Sequence, residues 1–390
     1  MPFERRNTSP NSVRTSPART RLHAGRTAVR AAALAAAALA LAATGLTAQA
    51  TAGPPAPAAA PAADGFQTGV THTQQSVDGN AAARARAETI LGTVGPLQNQ
   101  HLMGWGTENP EPEPGVYDWA SLDERVALME RTGGELVITL CSAPGWMKEA
   151  DDWDMDAAPT PEHYDDFADL AVRVAERYPQ VRRFQVWNEF KGFWDDDRNR
   201  WDHEGYTEMY NLVYERLKEH DPDLAIGGPY VSFNVYKDED AMSHPSSLTG
   251  DWGTVDRRDL DAVEYWLEHS AGADFVTVDG WASTVDGWHP PAARSGDMFR
   301  AVSEWIGERT DLPLWWAEFY APLQEGADAS SPTAIRAVLE GMRDGGADVA
   351  LWWGPECDGS DFPCVWTSTR EQGGGRETAY LPVLRDFSGR

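Results

Sequence analysis

The strongest constraint on what this chain can fold into is an alternation that starts at residue 66 and runs to the C-terminus. A short β-prone run, a polar loop bearing Gly or Pro, and an amphipathic helical stretch succeed one another eight times. The strand-like runs are 66–72, 98–104, 135–141, 182–188, 223–229, 273–279, 312–318 and 348–353. Helical stretches fall at about 80–93, 120–132, 162–177, 205–219, 257–269, 296–308 and 332–344, with a last one near 377–387. Strict alternation of this kind requires a parallel sheet, because each helix carries the chain back to start the next strand in the same direction. Eight units in 325 residues match a closed (β/α)8 barrel. An open doubly wound sheet would gather its chemistry at one crevice, whereas here functional-looking residues end many strands. The predicted fold class is therefore α/β, a single (β/α)8 TIM barrel over residues 66–390.

The helical signals are specific in places. Pro161 and Glu162 open one helix, whose apolar part includes Leu170, Val172 and Val174. In another, Tyr206, Met209, Tyr210, Val213, Tyr214 and Leu217 recur at i, i+3, i+4 and i+7. Loops after the strands are long and rich in Trp, Pro and Asp (105–119, 142–160, 189–204, 230–256, 280–295, 354–376), while those from helix back to strand are short. That asymmetry marks the C-terminal face of the barrel as the working face.

Ahead of the barrel the texture differs. Seven arginines between Arg5 and Arg30 precede the apolar run Ala31–Leu46, and Ala48-Gln49-Ala50 supplies the small residues of a cleavage site. This run is 16 residues, short of the ~20 that a spanning helix needs. Residues 1–50 are expected to be a signal peptide and residues 51–65 an Ala/Pro-rich linker, giving a secreted, extracellular protein. Without the leader, 26 basic residues face 60 acidic ones, a net charge near −34. Such a surface repels nucleic acid and anionic membranes, so neither is an expected partner of the mature form. No CxxC, HExxH or Gly-rich phosphate loop is present, and no metal or other cofactor is expected. In an oxidising compartment Cys357 and Cys364 can close a small loop disulfide, leaving Cys141 as a buried thiol at a strand end.

Two strand-like runs end in a carboxylate: Phe184-Gln185-Val186-Trp187-Asn188-Glu189 and, 129 positions later, Leu314-Trp315-Trp316-Ala317-Glu318. On strands four and seven of a barrel, Glu189 and Glu318 face each other across the mouth. One protonated and one ionised carboxyl are what the hydrolysis of a glycosidic bond requires. Around them, residues 66–390 resemble glycoside hydrolase clan A, and within it family 39, which contains β-xylosidases and α-iduronidases. The motifs that carry this resemblance are Val186-Trp187-Asn188-Glu189, Tyr206-Thr-Glu-Met-Tyr210, Asp221-Pro-Asp-Leu-Ala-Ile-Gly227-Gly228-Pro229 and Gly115-Val-Tyr-Asp-Trp119. The resemblance implies that Glu189 is the acid/base, Glu318 the nucleophile, and Asn188 the partner of the sugar 2-hydroxyl. The sixth strand departs from the family pattern, reading Phe275-Val-Thr-Val-Asp-Gly-Trp281 where a Tyr or His is usual.

All 17 Trp lie between residues 105 and 366. Trp146, Trp281 and Trp353 end or follow strands three, six and eight, where an indole face can stack on a sugar. His101 and His72, ending strands two and one, can contact a hydroxyl or orient Glu318. The acidic rim, from Glu108 to Asp197, favours a neutral or cationic carbohydrate over a polyuronate. The expected function is a secreted, cofactor-free retaining glycoside hydrolase; a carbohydrate-binding protein on a degenerate barrel is the alternative.

Overall fold

The computed structural model describes residues 65–73, 77–238, 244–321, 331–359 and 362–388; the expected signal peptide and all of the expected linker but its last residue lie outside them. Eight parallel strands close into a barrel. They are β1 (Gln67–Thr71), β2 (Leu97–His101), β3 (Glu135–Leu140), β4 (Arg183–Val186), β5 (Ala225–Phe233), β6 (Phe275–Gly280), β7 (Leu314–Trp316) and β8 (Val349–Trp353). Each pairs with its sequence neighbours, and β1 closes the ring on β8 with Gln67 opposite Val349 and Thr71 opposite Trp353. The helices are α1 (Ala81–Val94), α2 (Ala120–Arg131), α3 (Tyr164–Arg177), α4 (His203–His220), α5 (Arg257–His269), α6 (Asp297–Gly307), α7 (Pro332–Asp344) and α8 (Leu381–Phe387). Caps set several starts: the side chains of Asn80, Asp202, Asp256 and Ser331 accept from backbone N–H groups of α1, α4, α5 and α7. None of the helices among the described residues is long and apolar enough to cross a membrane.

The expected barrel is thus present, with different edges. β4 and β7 stop two or three residues short of their carboxylates, and β5 runs on to Phe233. The long loop after β5 carries a three-stranded antiparallel sheet (Val235–Tyr236, Pro245–Gly250, Gly253–Asp256), and the loop after β4 a two-residue hairpin, Trp194–Asp195 with Arg200–Trp201. Neither has the alternating apolar pattern that marks a strand: the pieces are two to six residues long, Pro245–Gly250 is mostly exposed, and Gly253–Asp256 is buried throughout. Pro161 begins a 3-10 turn that leads into α3, and Val172 lies on the partly exposed side of that helix rather than in its buried stripe.

Side chains alternate across each strand, so one set faces the helices and the other the barrel interior. The outward set, including Val70, Ile138, Phe184, Ile226, Val276 and Trp316, belongs to the main core. The inward set is stacked in storeys. At the bottom, Leu97, Val137, Phe275, Trp315, Val349 and Leu351 form a separate apolar cluster. Gly227 is required beside it, since a Cβ there would overlap the Phe275 ring. Of the adjacent Trp315 and Trp316, the first therefore points in and the second out, where its indole N–H donates to Ser303 Oγ on α6 (3.0 Å).

Above this floor the interior turns polar. Gln185 donates to Thr139 Oγ1 (3.0 Å), Thr139 to Asn99 Oδ1 (3.0 Å) and Asn99 to Thr71 Oγ1 (3.2 Å), all fully buried. The chain of bonds holds β4, β3, β2 and β1 in fixed relation just beneath the mouth.

Candidate active site

Glu189 sits in the turn after β4, a turn with an unusual backbone. Trp187, Glu189 and Phe190 all have positive φ (69°, 50° and 54°), a region that costs a non-Gly residue about 1 kcal/mol or more. Packing holds it there. The buried Trp187 indole donates to Lys191 O (2.8 Å), Phe190 stacks on Tyr206 with centroids 4.2 Å apart, and Tyr206 donates to Val186 O (2.8 Å). The outcome is a Glu189 side chain aimed at the mouth, 19% exposed.

Glu318 arrives differently. Beyond β7 the backbone bends at Ala317 and slips by one residue against β6 while staying bonded to it, through Ala317 N–H to Val278 O (2.8 Å) and Tyr320 N–H to Gly280 O (3.1 Å). Its carboxyl is only 2% exposed and accepts three hydrogen bonds: from Asn188 Nδ2 (3.1 Å) and the Tyr230 hydroxyl (2.6 Å) on Oε1, and from the Tyr320 hydroxyl on Oε2. His101 Nε2 lies 4.0 Å from Oε1.

A third carboxylate completes the group. β6 presents Phe275, Thr277 and Asp279 inward, and Asp279, fully buried, reaches the mouth. Oxygens of Glu189, Asp279 and Glu318 all lie within 4.8 Å of one another. The cation among them is Lys191, whose Nζ is 2.5 Å from Glu189 Oε2, 2.9 Å from Asn188 Oδ1 and 5.1 Å above the Trp105 ring.

Three acids around one ammonium cannot all be ionised at low cost. Burial, then the charges of Glu189 and Glu318, push Asp279 well above the usual carboxylate range. Burial, then the charge of Glu189, pushes Glu318 up to about 8, against the pull of Lys191 and the two tyrosines. Burial is the largest influence on Glu189 and acts to raise it, but the charge and hydrogen bond of Lys191 together with the neighbouring Asp279 carboxyl hold it below its ordinary value. Lys191 is itself held charged; burial opposes that, and the facing carboxylates prevail. Burial, followed by Lys191, lowers His101 to about 3, so it is a neutral imidazole.

The remaining sequence candidates divide. Trp353, at the end of β8, stands edge-on to Trp105 (5.7 Å) and His101 (5.4 Å); Trp105 and Trp353, with Phe362 and Glu356, line a small pocket at the barrel mouth. Trp281 stacks on Tyr320 at 4.3 Å and so backs a hydroxyl that touches Glu318. Trp146 is turned elsewhere: its indole donates to Glu111 O (2.9 Å) and its ring packs edge-on to His163. His72 shares the outward face of β1 with Val70 and is bonded to Gln98 Oε1 (3.0 Å) on the helix side of the barrel, away from the carboxylates. Cys357 and Cys364 are joined in a disulfide, and Cys141 is a buried free thiol.

Four residues that sequence reasoning did not single out are at the centre: Lys191, Tyr230, Asp279 and Tyr320. Asp279 had a signal, an acid on the inward face of an otherwise apolar strand. Tyr230 had a weaker one, directly after Gly-Gly-Pro, and it too adopts positive φ (59°).

No family model and no curated protein sequence matches the chain. Solved structures do. The fold aligns with a monomeric β-xylosidase from Caulobacter crescentus CB15 at a TM-score of 0.58 and 19% identity, over 84% of this chain and 69% of that one. It aligns with a GH39 enzyme from Xanthomonas axonopodis pv. citri at 0.57 and 18%, over 84% and 67%. An endo-1,4-β-D-mannanase from Thermotoga petrophila RKU-1 aligns at 0.52 and 15%, over 83% and 99%. At these identities the likeness is one of fold, and it agrees with the resemblance read from the motifs.

Proposed function

We propose that the chain is a retaining glycoside hydrolase of clan A, close to family 39. The observation that carries this reading is that one carboxyl oxygen of Glu189 and one of Glu318 lie within 4.8 Å of each other at an aromatic-walled barrel mouth. A separation near 5 Å suits direct attack by one carboxylate, whereas an inverting enzyme needs roughly 6.5–9.5 Å to seat a water between them.

In the first step Glu318 attacks the anomeric carbon while Glu189 delivers a proton to the departing oxygen. The Asn188 amide, already bonded to Glu318, lies where a sugar 2-hydroxyl would meet it, and that contact strengthens as positive charge grows on the ring. Tyr230 and Tyr320 fix the nucleophile's two oxygens and disperse its charge until it attacks. In the second step Glu189 takes a proton from water, which displaces Glu318 from the sugar. Trp353 and Trp105 supply a stacking wall. The substrate is proposed to be a neutral carbohydrate, in keeping with a mouth already crowded with carboxylates, and the protein is proposed to be exported with residues 1–50 removed.

The test is chemical rescue. Glu318→Ala should lose hydrolysis of an activated aryl glycoside, and azide should partly restore it, giving a glycosyl azide of inverted anomeric configuration. Full activity in that variant removes Glu318 from the mechanism. N-terminal sequencing of the secreted protein tests the leader: an intact Met1 in the culture medium would count against cleavage.

A further inference from the structure

Glu189, as it stands, is poorly prepared to be an acid. Lys191 grips Oε2 at 2.5 Å and stabilises the ionised form, yet departure of a sugar alkoxide requires a proton at this residue. The structure contains an adjacent source. Asp279 is fully buried, one of its carboxyl oxygens lies within 4.8 Å of one of Glu189 and of Glu318, and the group set against it on β5 is the Ser232 hydroxyl rather than a cation. Two carboxyls this close and this buried are costly to ionise together, and a proton held by one of them removes that cost, as in any dyad of neighbouring acids.

The groups facing Asp279 come from several elements. Glu189 and Lys191 lie in the turn after β4, Tyr230 and Ser232 in β5, Glu318 and Tyr320 after β7, and the neutral His101 ends β2. Lys191 is the one cation in this set. It is already bonded to Glu189 and Asn188, so Asp279 cannot take it without breaking that pair. A proton is the economical way to neutralise the third acid.

We infer that Asp279 stores the proton that Glu189 passes to the leaving group, and that Lys191 keeps it stored until the sugar displaces the ammonium. This rests on the glycosidase reading above. In balance, Asp279–H and ionised Glu189 become ionised Asp279 and Glu189–H as Lys191 withdraws. Glu189 then protonates the glycosidic oxygen as its bond to carbon breaks and the Glu318–carbon ester forms. Water subsequently adds at that carbon, its proton returns through Glu189 to Asp279, and Glu318 leaves as a carboxylate. Asp279 touches Glu189 rather than the sugar, so it is a positioning residue for the proton.

Two measurements test the inference. Infrared difference spectra of protein labelled with 13C-aspartate should show a protonated-aspartate band that persists well above the value of about 7 to which burial raises Asp259, and that is missing from Asp279→Asn. Absence of the band from the wild-type protein overturns the inference. The second measurement compares dinitrophenyl and phenyl β-glycosides of xylose, glucose and mannose. Asp279→Asn should lose ~10²-fold in kcat/KM on phenyl glycosides, whose departure needs a proton, and only a few-fold on dinitrophenyl glycosides, which need none. The loss should not add to that of Glu189→Gln. An equal loss on both leaving groups, or additivity, makes Asp279 merely structural and overturns the relay. A protein that cleaves none of the panel but shows the band keeps the stored proton and loses the glycosidase reading.

Discussion

The ends of β4 and β7 look alike as sequence, each an apolar run closed by Glu, yet they build opposite environments. After β4 the chain turns sharply through three residues of positive φ and leaves Glu189 partly exposed beside an ammonium. After β7 it stays bonded to β6 through a one-residue slip and seals Glu318 beneath two tyrosine hydroxyls and an amide. One carboxyl can meet a leaving group and solvent; the other can meet little besides an anomeric carbon. Division of labour between two acids follows from such differences in surroundings, as residues of the same type acquire different proton affinities.

The most severe way to break the comparison is to remove each acid in turn. Glu318→Ala should cost on the order of 10⁵-fold in kcat on every substrate, since no other group can form the ester. Glu189→Ala should cost ~10²–10⁴-fold in kcat/KM on poor leaving groups and little in kcat/KM on dinitrophenyl glycosides, whose kcat instead falls with deglycosylation and would be rescued by azide with retained configuration. Equal behaviour of the two variants across leaving groups would erase the distinction. Lys191→Met comes next. It removes the charge that separates the two environments, so the proton affinity of Glu189 should rise and kcat should fall about tenfold on the good leaving groups that need no acid. An unchanged pH profile would show that Lys191 does not bias the pair.

A gentler probe is pH. A carboxyl held at about 8 is protonated, and not nucleophilic, below that value, so kcat/KM should climb as pH rises toward about 8. Tyr230→Phe deletes a donor to the ionised form and should move this limb further to the alkaline side, with a loss of roughly tenfold. A limb that stays in place means Tyr230 does not stabilise the charge. The smallest expected effect lies below the site: Thr139→Val keeps the shape but strands Gln185 and Asn99, costing about 1–3 kcal/mol of stability in a denaturant titration. Activity per folded molecule should change little, and a large kinetic effect instead would mean that the polar storey sets the catalytic geometry.

The barrel was legible because its period is local. Alternating β-prone runs and stripes such as Tyr206–Leu217 force strand and helix wherever they occur, and eight of them in parallel order admit few closures. The small sheet after β5 was not legible, since Pro245–Gly250 is mostly exposed and Leu248 is the single large apolar residue in it, too little to bear a pattern. Trp146 shows the limit for aromatic residues: its position after β3 suits a sugar platform, but the free Glu111 carbonyl, 35 positions earlier, claims its N–H. Tyr320 illustrates the converse, a rim residue that becomes part of the site only because Trp281 stacks behind it.

Composition, spacing and motif by themselves determined a (β/α)8 barrel with Glu189 and Glu318 at the ends of its fourth and seventh strands. Which acid is sealed and which is open was decided by tertiary structure alone, as were the arrival of Lys191 between them and the turn of Asp279 toward Glu189. The reason is physical: strand order follows from local periodicity, whereas a carboxyl's proton affinity depends on burial and on charges a few ångströms away, brought there from four different strands.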